Sequence, residues 1–146
     1  MKREINMGII GIKEFNFNLN FQHLNTIQEI DPSQLQVGIR TVTDIKREEE
    51  IVQITTGVQY KYKDEILLVL DVASFFTVSN LSSMMGNNKK EINFENDVLP
   101  TLLNISIGNL RGMMQAKIAT TKLEPFPLIL IDMEELVARN VVNKPE

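Results

Sequence analysis

Residues 123–136 read LEPFPLILIDMEEL: two prolines around a phenylalanine, four aliphatic residues in a row, then an acidic helix start. Pro125 and Pro127 lack an amide hydrogen and have a fixed φ, so Phe126 to Leu130 is expected to be extended, not helical. Asp132 is a good N-cap, Glu135 stands where a capping box needs it, and Ile131 and Leu136 hold the two positions of a hydrophobic staple. A short terminal helix therefore begins at Met133, with Leu136 and Val137 on its apolar side. An extended apolar run docked between a helix and a sheet makes the wall of a groove, and the rest of the chain must supply both.

The helix comes just upstream. Pro100 suits a first turn, where its missing amide hydrogen does no harm, and it is expected to push Leu99 out of helical geometry. Leu103, Ile107, Leu110, Met114 and Ile118 then recur at steps of three and four, giving a stripe to lay on a sheet, widened by Leu102 and Met113. A second stripe on this helix is nearly bare, because Gly108, Gly112 and Ala116 stand four apart. Glycine inside a helix costs about 0.5–1 kcal/mol relative to alanine. Either another helix approaches closely there, from this chain or a second copy, or the glycines only avoid a clash with the sheet.

The sheet is written in the first half. FNFNLNF (15–21) alternates apolar and asparagine positions, the mark of a strand with one dry face. EIDPSQ (29–34) interrupts with a turn. A second strand carries Leu35, Val37, Ile39, Thr41, Thr43 and Ile45 on one side and ends in the charged tip KREEE (46–50). A third carries Val52, Ile54, Thr56, Val58, Tyr60 and Tyr62, and closes at KDE (63–65). The fourth, ILLVLDVASFFTV (66–78), is denser in apolar residues, as befits a strand covered on both sides. The expectation is an α+β domain: a four-stranded antiparallel meander, a Ser/Asn/Lys-rich crossover (79–96), a long helix and a short C-terminal helix, all in one domain spanning 1–146.

Composition removes several functions. With 43% hydrophobic and 23% charged residues in 146, the chain is globular, and a net charge of −4 without a basic patch argues against nucleic acid as a partner. Without cysteine and with His23 as the one histidine, there is no disulfide framework, no thiolate nucleophile and no histidine cluster for a metal. No cofactor is expected. The apolar run near the N-terminus is broken by Lys13 and Glu14, too short for a signal or a membrane helix, so a cytoplasmic protein is expected.

The order of elements resembles the SecB-like protein-export chaperone family. The residues that carry the resemblance are Leu99-Pro100 opening the long helix, Arg111 along it, the Phe126-Pro127 step with its run to Leu130, and IDMEEL from Ile131. Leu99 stands where the family has an aromatic, and Ile131-Asp132-Met133 where it has Pro-Val-Asn. The resemblance implies a homotetramer, a dimer of dimers joined by sheet edges and long helices. It also implies ATP-independent holdase binding of unfolded or preprotein polypeptides in apolar grooves, with no enzyme activity. Candidate peptide-binding residues are Met84, Met85, Phe94, Phe126 and Leu128, and candidate oligomer contacts are Phe15, Phe17, Leu19, Gly108, Gly112 and Ala116. Methionine suits such a groove because its thioether repacks around varied ligands. The acidic tips at Glu48–Glu50 and Asp64–Glu65 are either solvated hairpin ends or a docking surface for a translocase motor. Two other readings stand beside the general chaperone: a partner-dedicated, toxin–antitoxin type SecB-like protein, and a small-ligand-binding domain with a pocket lined by Tyr60, Tyr62 and Phe76.

Overall fold

A computed structural model describes residues 6–81, 98–129 and 131–143. Met84, Met85 and Phe94 lie outside the described residues. Among the described residues five strands, β1 (Met7–Leu19), β2 (Leu35–Lys46), β3 (Ile51–Tyr62), β4 (Glu65–Val78) and β5 (Val141–Asn143), form one sheet in the order β1-β4-β3-β2-β5.

The central three strands follow directly from their alternation. β2 (Leu35–Lys46), β3 (Ile51–Tyr62) and β4 (Glu65–Val78) are joined by successive hairpins. Lys63 and Asp64 both have positive φ, so the β3–β4 hairpin is a two-residue turn of the primed kind that matches strand twist. Val52, Ile54, Val58, Tyr60 and Tyr62 of β3 are buried on the face that receives the helix, with Leu68, Leu70, Val72 and Phe76 of β4 beside them.

The first strand departs from expectation at both ends. β1 runs Met7–Leu19, so the apolar segment before Phe15 is strand too, and Phe21 is outside it. Pairing explains the early start: Met7 meets Val78 and Leu19 meets Leu68, so β1 follows the whole length of β4. Asn20 explains the early stop. Its side chain accepts a hydrogen bond from the His23 amide and caps α1 (Phe21–Thr26).

The four-stranded antiparallel meander is corrected in two ways. β1 lies beside β4 instead of β2, because the connection through α1 and the 3-10 turn Pro32–Gln34 is long enough to cross two intervening strands, about 14 Å. A fifth strand, β5 (Val141–Asn143), adds to the outer edge of β2 in parallel, pairing Val42 with Val141 through Asp44 with Asn143. The sheet is therefore mixed, and three residues after a helix carried no alternation from which β5 could be read.

α2 (Val98–Ile118) lies across β3 and β4. Leu102, Leu103, Ile107, Leu110, Met114 and Ile118 are buried against the sheet, as their spacing implies. Leu99 is helical, contrary to the restriction expected from Pro100. The burial of Val98 and partial burial of Leu99 in the core outweigh a backbone preference that is only a bias. Asn109 reaches down to donate to the buried Ser74 hydroxyl at 3.0 Å. α3 (Met133–Arg139) starts where the cap was read: the Asp132 carboxylate accepts from the Glu134 amide at 2.9 Å, and Leu136 is buried. Glu135 does not close a capping box but pairs with Arg139 at 3.4 Å. No helix among the described residues is long and apolar enough to cross a membrane.

Candidate functional site

The small-residue stripe faces away from the sheet. Ile105, Gly108, Gly112 and Ala116 form the exposed side of α2, and a Cβ built at either glycine meets no atom within 4 Å. Avoidance of a clash with the sheet is therefore not the reason for these glycines.

Beside this face runs an open apolar edge. Met7, Ile9, Ile10, Ile12, Phe15 and Phe17 of β1 are each between 37% and 56% exposed, and β1 ends the sheet, so its outer backbone groups face no strand among the described residues. Natural edge strands are short or charged when they remain free, because an open apolar edge recruits other chains. Register irregularities at Ile10 and Phe15 turn those side chains out of the regular alternation. Lys117 ties the edge to the helix, 2.5 Å from Glu14 and 4.1 Å from the Phe17 ring centroid. Leu19, unlike Phe15 and Phe17, is buried in this chain's own core.

The proline-bounded link forms a wall of its own. Pro125 and Pro127 cannot donate to a ladder, and the link's carbonyls are instead taken by side chains. Tyr60 donates its hydroxyl to the Phe126 carbonyl at 2.6 Å, while Arg111 donates to Leu128 and Ile129 carbonyls at 3.3 and 3.2 Å. Leu128 is buried in the core and Phe126 half-buried, so the alternation of the link turns these two inward. Ile129, between them and the cap, is 67% exposed and was not singled out from the sequence. Its signal was available, since it occupies the opposite parity to Phe126 and Leu128.

Tyr60, Tyr62 and Phe76 do not line a common pocket; each is at most 4% exposed and belongs to the core. Tyr62 accepts a hydrogen bond from the Asp31 amide at 3.2 Å. Burial pushes the Tyr60 phenol up from 10.0 to about 12. Between those values an unfolded chain releases the proton and the folded chain keeps it, so Tyr60 contributes stability below pH 10 that is lost as pH rises toward 12. Tyr60→Phe should lose about 1 kcal/mol at neutral pH, from the hydrogen bond to the link, and show a shallower alkaline decline. Urea unfolding at about pH 7 and about pH 11 measures both, and an unchanged alkaline slope would remove Tyr60 as its source. The acidic tips sit at opposite ends of β3, about 40 Å apart, and so do not make one surface.

No protein-family model matches the chain, and no curated protein matches it either. Likeness appears among solved structures. The backbone is similar to that of a SecB-like chaperone from Mycobacterium tuberculosis, solved in complex with a ChAD peptide from the HigA1 antitoxin. The TM-score is 0.57 over 86% of this chain and 90% of that one. The fold is SecB-like. A protein of unknown function from Streptococcus agalactiae also overlaps, with a TM-score of 0.41 over 89% of this chain and 99% of that one. Identity is 10% in both cases, so the likeness concerns the path of the backbone and carries no residue roles.

Proposed function

We propose that this protein is an ATP-independent holdase chaperone that works as a homo-oligomer in the cytoplasm and binds non-native polypeptides, with preproteins bound for export among them. The observation that carries the reading is the long, open and apolar β1 edge beside the bare face of α2. Both surfaces suit association. The β1 edge of one copy, with Phe15 and Phe17, pairs with that of a second, which satisfies backbone groups otherwise left to water. Gly108, Gly112 and Ala116 admit the backbone of a helix from another copy, and two such contacts make a tetramer.

Client binding is assigned to the apolar residues Met84, Met85 and Phe94 and to the link carrying Phe126. Removing apolar area from water supplies roughly 25 cal/mol per Å² without demanding a sequence, which is what a holdase needs. Light scattering of a denatured client tests this. The parent should slow aggregation, and Met84→Glu with Met85→Glu should weaken that effect without unfolding the protein. A parent that leaves aggregation unchanged refutes the holdase.

The structural likeness to a chaperone solved with an antitoxin peptide favours a second reading, a protein dedicated to one polypeptide partner. Gentle purification separates the two: one dominant co-purifying protein supports the dedicated partner, many support the general holdase. A translocase motor among the co-purifying proteins would place the chain in export.

A further inference from the structure

The far edge of the sheet has a gap. β5 covers β2 only from Val42 to Asp44, so on its outer side the stretch of β2 from Val37 to Ile39 faces no strand among the described residues. In a strand, the N–H and C=O of one residue point to the same side and alternate along the chain. Ile39 turns its carbonyl outward, where the Arg139 guanidinium donates to it at 3.4 Å, so Val37, of the same parity, faces outward too. A charged side chain thus occupies the place where an incoming strand's amide would sit. Apart from the Ile39 carbonyl, the partner of Arg139 among the described residues is Glu135 at 3.4 Å, and both side chains are largely exposed, so the guanidinium is readily displaced.

Two cavities open on the two faces of this same gap. Both are lined by Val37, Gly38, Ile39, Arg40 and Arg139. One, of about 400 Å³, is closed on its other side by the aliphatic side chains of Ile129, Ile131 and Leu136 together with the carboxylates of Asp132 and Glu135. The other, of about 500 Å³, is closed by Gln36, Gln59, Lys61 and Asp71. Its cations are weakly engaged: Arg40 is 3.6 Å from Asp71 with its side chain 70% exposed, and Lys61 is 3.8 Å from a fully exposed Asp64. An added strand sends successive side chains to opposite faces. On the first face Asp132 and Glu135 offset the two shared arginines and repel an acidic side chain, leaving the aliphatic groups to be filled; on the second, Arg40, Lys61 and Arg139 stand against Asp71 and attract one. An added strand is thus read by which residues it sends to each face, with main-chain hydrogen bonds supplying affinity and the pockets specificity.

We propose that the Val37–Ile39 edge of β2 is a strand-addition site for an extended peptide that alternates apolar and acidic residues and displaces Arg139 from the Ile39 carbonyl. The apolar residues enter the cavity under Ile129 and the acidic ones meet Arg40 and Lys61. The gap is bounded by α3 and β5, so it admits a single chain and not the edge of a second sheet. The site rests on the polypeptide-binding reading above and names the peptide class it prefers.

The test is fluorescence anisotropy of the full chain with a dye-labelled synthetic peptide of about ten residues alternating valine and aspartate. A peptide of the same composition in two blocks should bind at least about tenfold more weakly, because its side chains cannot serve both cavities. N-methylation of every second amide, made in both parities, is expected to abolish binding in one parity and leave it within about twofold in the other. Val37→Pro, which removes an outward amide unused by the β2–β3 ladder, should weaken binding about tenfold, and Arg40→Glu should reverse the preference between aspartate and lysine peptides. Equal binding of the two N-methylated peptides overturns strand addition even if a protein variant fails to fold. Equal binding of blocked and alternating peptides overturns the two-cavity readout. A parent that slows client aggregation but binds none of these peptides overturns this site alone; a parent that does neither overturns the holdase with it.

Discussion

Gly112→Leu is expected to halve the mass of the assembled protein in solution while the folded fraction stays the same or rises. Among the described residues the substitution meets no obstacle at its Cβ. A Cβ at this position meets nothing within 4 Å, and leucine is better than glycine in a helix interior by about 0.8–1 kcal/mol. Any loss of assembly must therefore come from a neighbour outside the chain, because a large side chain cannot enter a gap shaped for backbone. Multi-angle light scattering at concentrations on the order of tens of micromolar gives the mass, and urea unfolding gives the stability. An unchanged mass with raised stability would remove α2 from the interface and leave β1 as the remaining contact. A parent that is already a monomer would undo the assembly altogether.

Leu110→Ala should act in the opposite sense, lowering stability by about 2–5 kcal/mol without a direct effect on assembly. Leu110 is two residues from Gly112 but on the other side of α2, fully buried against the sheet. The cost combines lost burial with a cavity that rigid β3 and β4 cannot close. Against a total stability of about 5–15 kcal/mol, that is a large fraction. The midpoint of urea unfolding reads it, and a loss below about 1 kcal/mol would mean that α2 is not packed on the sheet as described. The pair of substitutions separates the two faces of one helix: one holds the chain together, the other is the face proposed to meet the next copy.

Some elements were legible because their information is local. The period-two pattern of β2 and β3, the i, i+3, i+4 stripe from Leu103 to Ile118, and the Asp132 cap all depend on side chains within one turn or one strand of each other. The prolines at 125 and 127 likewise act on their own backbone, so the lack of helix over 126–129 was readable as well. What failed was non-local. The place of β1 beside β4, the parallel addition of β5 and the burial of Tyr60, Tyr62 and Phe76 depend on partners far along the chain.

The candidate site divides in the same way. The bare stripe on α2 could be written down from spacing, but whether it faced the sheet or open space depended on the rotation of the helix over β3 and β4. The β2 edge carried no distinctive motif, because a groove is made by surfaces that meet only after folding. By itself the sequence determined which segments extend, which coil and which faces shun water, since those follow from steric limits and side-chain period along one chain. Only the tertiary structure decided which apolar faces find cover within the chain and which remain open, since that depends on how the elements are arranged in space.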